Sequence, residues 1–206
     1  MKNKWLASTE LEGDSVTLIP LTTSDTEGLI EAVKDGELWK LWYTNIPKPE
    51  SMGAYITKVI KEKENGYALP FVVIHNATNK IIGSTRLCNA DSENFRVEIG
   101  YTWYAKSFQR TAVNTECKLL LLSHAFERLN AIAVEFRTSW HNQPSRKAIE
   151  RLGAKQDGII RNHRKLPDGS YRDTVIFSII DSEWLAVKTG LQFRLNNTYK
   201  RFENLG

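Results

Sequence analysis

Cysteine is scarce in this sequence: Cys88 and Cys117 are the only two among 206 residues. Two thiols are too few for a disulfide scaffold or a four-thiolate metal site. Both stand among apolar residues, as small core hydrophobes in a reducing compartment do. Long apolar runs are missing too, since no stretch of 18 occurs, and this argues against a membrane-spanning helix. Met1 to Glu10 holds lysines but no apolar segment of the secretory kind, so no secretory signal is read there. Internal repeats, low-complexity tracts, a P-loop and a G-x-G-x-x-G are all absent. His75, His124, His141 and His163 have no metal-ligand spacing, so no metal is expected. What remains is a cytoplasmic, non-membrane protein with one domain over 1–206, its core over about 13–184.

The charge is mildly basic, 28 Lys and Arg against 24 Asp and Glu, with a net charge of +4. That suits a phosphorylated cofactor or RNA without selecting either, and it gives no reason to expect DNA.

The order of elements is more informative. A strand is predicted from Val16 to Leu21 after the Glu12-Gly13-Asp14 turn signal. Ser24 or Asp25 caps a helix toward Lys34, and Ser51 opens a second one ending at Asn65-Gly66. Between them lies an aromatic cluster containing Trp39, Trp42 and Tyr43. Strands follow at Pro70–His75, Ile81–Leu87 and Phe95–Tyr104. Thr111–Leu129 carries apolar residues at three- and four-residue spacing and reads as one long helix. Ile132–Ser139 is a strand, Pro144–Leu152 a short helix closed by Gly153, and Ala154–Ile160 and Tyr171–Ile180 two final strands. A last helix is predicted from Asp181 or Ser182 to about Lys188, with a mobile basic tail from Arg194 within a C-terminal segment of about 182–206. Three strands in a meander, then strand–helix–strand, predict an α/β fold with a mixed, mostly antiparallel sheet and helices on both faces.

Two junctions can carry chemistry. From Trp103 to Asn114 a strand passes through a basic loop, Lys106 to Arg110, into a helix N-terminus. Free N–H groups and the helix dipole make such a place receptive to phosphate. An ordinary strand-to-helix connection with solvated charges reads the same way. At Asn142-Gln143-Pro144-Ser145-Arg146 a strand hands over to a short helix, and Asn142 or Ser145 suits the cap.

Together, Val97-Glu98-Ile99-Gly100-Tyr101, the junction into Thr111-Ala112-Val113-Asn114-Thr115-Glu116, and Asn142-x-x-Ser145-Arg146 ahead of Leu152-Gly153 resemble a Gcn5-related N-acetyltransferase over about Gly13 to Trp184. The similarity leans toward the branch of RimJ and RimL, the ribosomal-protein alanine acetyltransferases. It implies a central sheet of about six to seven strands and acetyl-CoA as cosubstrate. Gln109, Arg110, Thr111, Ala112, Val113 and Asn114 would form the pyrophosphate loop. Tyr101 and Trp103 would meet the cofactor at a strand bulge, Asn142 would meet its pantetheine arm, and Arg146 would also bind the cofactor. The chain has Ala112 and Asn114 where the family often has glycines, and Ile149 where many members have a tyrosine acid. Ser145 is then the candidate partner of the leaving sulfur, and Glu98 the candidate base, with a solvated strand residue as its other reading. Trp42 and Tyr43, with Glu98, are candidates for the acceptor site; packing in an aromatic core is the alternative for the two aromatics. Arg161-Asn162-His163-Arg164 either meets an anionic acceptor or faces water. The acceptor implied is a protein N-terminal α-amine or a small-molecule amine, with ribosome association and a homodimer left open. The rival reading is a non-catalytic CoA-binding or ribosome- or RNA-associated protein.

Overall fold

Two short strands open the described part of the chain, which in this computed structural model covers residues 5–166 and 168–203, the last six by backbone alone. Strand β1 (Leu11–Glu12) turns at Gly13 into β2 (Val16–Pro20). Helices α1 (Thr26–Lys34) and α2 (Met52–Glu64) follow. The meander β3 (Ala68–His75), β4 (Lys80–Asp91) and β5 (Arg96–Tyr104) then leads into α3 (Val113–Ser123). Beyond it come β6 (Ala133–Ser139), α4 (Gln143–Leu152), β7 (Lys155–Lys165), β8 (Tyr171–Ile180) and α5 (Asp181–Glu203).

All eight strands join one sheet in the order β1-β2-β3-β4-β5-β6-β8-β7. Every neighbouring pair is antiparallel except β5–β6. Alternating side chains feed two cores. One face packs Leu18, Phe71, Leu87, Val97, Ile99 and Phe177 against α3, α4 and α5 through Cys117, Leu121, Leu152 and Leu191. The other packs Val72 and Trp103 against α1 and α2 through Leu29, Val33, Met52 and Ile56. Helices on both faces of a mixed sheet agree with the order read from sequence.

Several local expectations are corrected. The sheet has eight strands rather than six or seven; the extra one is the two-residue β1, too short for any periodicity to reveal. Of the two caps expected before α1, Asp25 holds the N-cap position, but its side chain makes no capping bond to the helix. A 3-10 turn over Thr23–Asp25 precedes the helix, and the Asp25 carboxylate accepts from the Thr22 N–H at 2.7 Å. The long central helix becomes a π-helical turn at His124–Arg128, where the Leu129 N–H reaches back to the His124 carbonyl. That turn aims Glu127 at α5, whose Trp184 indole and Lys188 ammonium both donate to it at 2.8 and 2.6 Å. The last helix does not stop near Lys188. Buried Leu191 and Leu195 carry it through Gly190, and the region of Arg194 expected to be a mobile tail is helical as far as Glu203.

Candidate active site

The parallel pair β5–β6 is held at only three positions, Arg96↔Ala133, Val97↔Val134 and Glu98↔Glu135. Past Glu98 and Glu135 the strands part. Because they are parallel, the wedge between them opens toward the ends that lead into α3 and α4, so two helix N-termini stand at its mouth.

A bulge bends β5 on the same stretch. Opposite β4 the register runs from Arg86↔Gly100 to Ser84↔Trp103, so Tyr101 and Thr102 face the single residue Thr85. Tyr101 takes a left-handed φ of +53°, rare for a bulky residue. Its exposed ring lies under the buried guanidinium of Arg86, 3.9 Å away. Arg86 is fixed in turn by Glu62 at 2.7 Å and the Tyr55 hydroxyl at 2.6 Å, both on α2. The Trp103 indole is buried in the α1/α2 core, so only its backbone is placed to meet a ligand in the wedge. Beneath the bulge, the wholly buried Lys118 of α3 donates to the Thr102 hydroxyl at 2.7 Å.

The loop from β5 to α3 is organised by its own side chains. The Asp35 carboxylate accepts from the Ser107 N–H at 3.2 Å and hydroxyl at 2.5 Å, tying the loop to the end of α1. The Gln109 amide donates to the Tyr104 carbonyl at 2.9 Å, so this side chain shapes the loop. Thr111 donates to the Phe108 carbonyl and accepts from the Val113 N–H, taking one of the free amides of the first helical turn. The N–H groups of Asn114 and Thr115 have no earlier helical turn to bond. Arg110 is exposed at φ +63°, and Ala112 is half-buried at the N-cap. Cationic Arg110 and the first-turn amides suit a pyrophosphate.

Glu98 stands at the vertex of the wedge. Its carboxylate is buried, accepts from the Asn89 amide at 2.7 Å and lies 3.4 Å from Arg137 Nε. Burial pushes its pKa upward; the Asn89 hydrogen bond and the Arg137 charge oppose that. At the head of α4, Asn142 Oδ1 accepts from the Ser145 N–H at 3.1 Å. Asn142 is therefore the cap, and its amide NH2 remains the group that can meet a ligand. Ser145 is half-buried in the first turn. The Arg146 guanidinium stacks over Trp140 at 4.3 Å, with Nε buried and without a hydrogen-bond partner.

A cleft of about 200 Å³ lies between the α1–α2 loop, the end of β6 and the β7–β8 turn. Trp42, Tyr43 and Asn45 form one wall, Ser139 and His141 another, and Leu166, Ser170, Tyr171 and Arg172 the third. Trp42 packs on Tyr43 and His141, with ring centres 5.6 and 5.2 Å apart. At 66% exposure it is no core residue, and Tyr43 is half-buried in the cleft wall. His141, Arg172 and the Asn89 and Arg137 partners of Glu98 went unrecognised in sequence, because β-strand register decides their meeting. Arg161 and Asn162 sit within β7, not in a loop, and both bond Asp173.

Residues 15–155 match the model of the acetyltransferase (GNAT) domain. A Bacillus subtilis protein named "Putative ribosomal N-acetyltransferase YdaF" is 27% identical over 176 residues, 83% of this chain and 94% of that one. The crystal structure of a GCN5-related N-acetyltransferase from Brucella melitensis is 30% identical, covers 92% of this chain and 86% of its own, and superposes with a TM-score of 0.82. Mycobacterium smegmatis RimJ, in complex with CoA-disulfide, shares the fold at 20% identity and a TM-score of 0.70, over 82% of this chain and 83% of its own. The chain belongs to the GNAT acetyltransferase domain family, and its chemistry is acetyl transfer to an amine.

Proposed function

We propose that the chain takes acetyl-CoA as donor and passes its acetyl group directly to a primary amine in a ternary complex, most readily the α-amine of a protein N-terminus or a small molecule. The observation that carries this reading is the wedge between β5 and β6, with a bulge on one edge, a buried carboxylate at its vertex and two helix N-termini at its mouth. Acetyl-CoA supplies a thioester ready for attack, so the protein needs to position, to stabilise charge and to move protons.

Arg110 and the amides of Asn114 and Thr115 hold the pyrophosphate. The Asn142 NH2 and the backbone around Tyr101 and Trp103 align the pantetheine arm. A bulge N–H donates to the thioester oxygen as negative charge develops there. Glu98 accepts the amine proton, directly or through water, and its upward shift moves it toward the working range of a base. Ser145 donates a hydrogen bond to the departing sulfur. A thiol of pKa near 8.5 needs only that modest help. An α-amine near 8 is partly neutral at pH 7, whereas a lysine near 10.4 is neutral in less than about one part in a thousand. One carboxylate base thus suits α-amines better. Ribosomal proteins are natural candidates, given the name of the B. subtilis relative. A cytoplasmic setting suits two cysteines that are free and buried. No helix among the described residues is long and apolar enough to cross a membrane.

The test is incubation with acetyl-CoA and a panel of N-terminal peptides, amino acids and polyamines, reading acetylated product by mass. Product with at least one amine supports the proposal. No product and no CoA binding refutes it, and salt-sensitive RNA binding in their place would favour the non-catalytic rival.

A further inference from the structure

The cleft lined by Trp42 and Tyr43, the candidate place for the acceptor, carries on one wall charge that the transfer chemistry does not use. Arg172 opens β8 and lines the cleft. Directly across the hairpin, its Cα partner on β7 is Arg164. Antiparallel partners present their side chains on the same face, and like charges placed there repel. Neither arginine makes an ion pair with a carboxylate among the described residues. Arg172 donates only to the Thr174 hydroxyl, at 3.2 Å, and its Nε is buried with no partner. The neighbouring carboxylates are engaged elsewhere. Asp173 is bound by Arg161 and the Asn162 N–H, Glu135 by Arg96 and Arg137, and Glu98 by Asn89 and Arg137. No Asp or Glu lines the cleft.

Arg172 in a cleft whose described lining holds no acid, with Arg164 beside it on the same face of the hairpin and Glu98 acting on both only without ion-pair contact, makes a receptor for an anion. A guanidinium also offers a paired donor geometry that matches a carboxylate. We propose that the acceptor amine carries a carboxylate near the reacting nitrogen, and that Arg172, helped by Arg164, selects it by binding that group. This rests on the acetyl-transfer reading above and narrows its substrate class. The carboxylate belongs to an acidic side chain near a peptide N-terminus or to a free amino acid, and the acceptor panel below separates the two. Polyamines and basic peptides are disfavoured, since they would bring positive charge against Arg172.

Three C-terminally amidated peptides differing only in the side chain after the N-terminal residue (acidic, amide, basic) are compared with free alanine, alaninamide and spermidine. The wild-type kcat/KM should be highest for a carboxylate-bearing acceptor. Arg172→Gln should lower that value roughly 10- to 100-fold while changing the amide analogue little, as loss of a charge-assisted hydrogen bond predicts. Arg164→Gln, at an exposed position that tolerates change, should give a smaller loss of the same kind, and Arg172→Lys should keep part of the preference. Equal or better turnover of amide or basic acceptors by the wild type overturns the proposal. So does a preference that survives Arg172→Gln, or a variant whose defect is in CoA affinity. The second arm needs no turnover: calorimetric titration with N-acetylalanine against N-acetylalaninamide, and with C-terminally amidated acetyl-Ala-Glu against acetyl-Ala-Gln. Tighter binding of the carboxylate form, abolished by Arg172→Gln, supports the site even if the donor assignment fails; equal affinities refute it even if acetyl transfer is observed.

Discussion

For single residues, the proposed mechanism assigns the amine proton to Glu98 and the departing sulfur to Ser145. Glu98 is buried beside Asn89 and Arg137, so it can receive a proton from the amine in a site shielded from water. Glu98→Gln should cost more activity at pH 7 than at pH 9, because at the higher pH an α-amine is already neutral without a base. Initial rates over that range decide it; a deficit independent of pH makes Glu98 a positioning residue. Ser145→Ala should cost about 10-fold, near 1.4 kcal/mol, mostly in kcat, since only a hydrogen bond to the departing sulfur is lost. A loss confined to KM would contradict this. Glu98 was legible from its place in the Val97–Tyr101 stretch. Its partners were not, because Asn89 and Arg137 come from two other strands. From the residues themselves Asn142 was one of two possible caps, and the bond from the Ser145 N–H settles which; its part toward the pantetheine arm came from the family resemblance.

Among the elements, the β5–α3 loop and α3 itself offer the sharpest tests. Arg110→Ala should weaken CoA binding by about 1–3 kcal/mol through loss of charge-assisted hydrogen bonds. Arg110→Gly should weaken it comparably although it relieves the left-handed backbone, so the pair separates charge from strain. Ala112→Val should do at least as much harm by crowding the approach to the first helical turn. Calorimetric CoA affinities check all three, and unchanged values would place the donor elsewhere.

Lys118 concerns stability. Burial pushes its pKa down from 10.5 to about 8, so the folded chain holds this proton less tightly than the unfolded chain does. The cost is complete below pH 8. It fades between pH 8 and 10.5, where the folded lysine is neutral and the unfolded one still charged. Lys118→Met should therefore be the more stable protein at pH 7 by about 2 kcal/mol, with the advantage shrinking as pH rises through that window. Denaturant melts of both proteins show the difference directly. Buried Tyr104, pushed upward, destabilises both chains alike at high pH and cancels in the comparison, whereas Cys117 and Cys88 are coupled to the Lys118 charge and do not cancel fully. An advantage that grows with pH would contradict the assignment. The helical spacing of Thr111–Leu129 announced a helix, but 3.6-residue periodicity cannot reveal that its last turn is π-helical. Nor did Gly190 reveal that Leu191 and Leu195 would hold α5 together beyond it.

In the whole molecule, one parallel pair in an otherwise antiparallel sheet creates the site. The order of strands and helices was readable from alternating and helical periodicity, and with it the mixed sheet. The short pairing of β5 with β6 was not, because register depends on contacts far apart in sequence. The same reason hid the Arg164–Arg172 juxtaposition, although Arg161 to Arg164 stood out as a basic stretch. The central claim is that acetyl-CoA lies in this wedge and surrenders its acetyl group to an amine. Release of free CoA thiol, followed with and without an acceptor for the wild type and for Ala112→Val, tests it most directly. Release should require both acetyl-CoA and the amine, and Ala112→Val should need a much higher acetyl-CoA concentration to reach the same rate. No amine-dependent release with any acceptor, or an identical acetyl-CoA dependence in the variant, would contradict it.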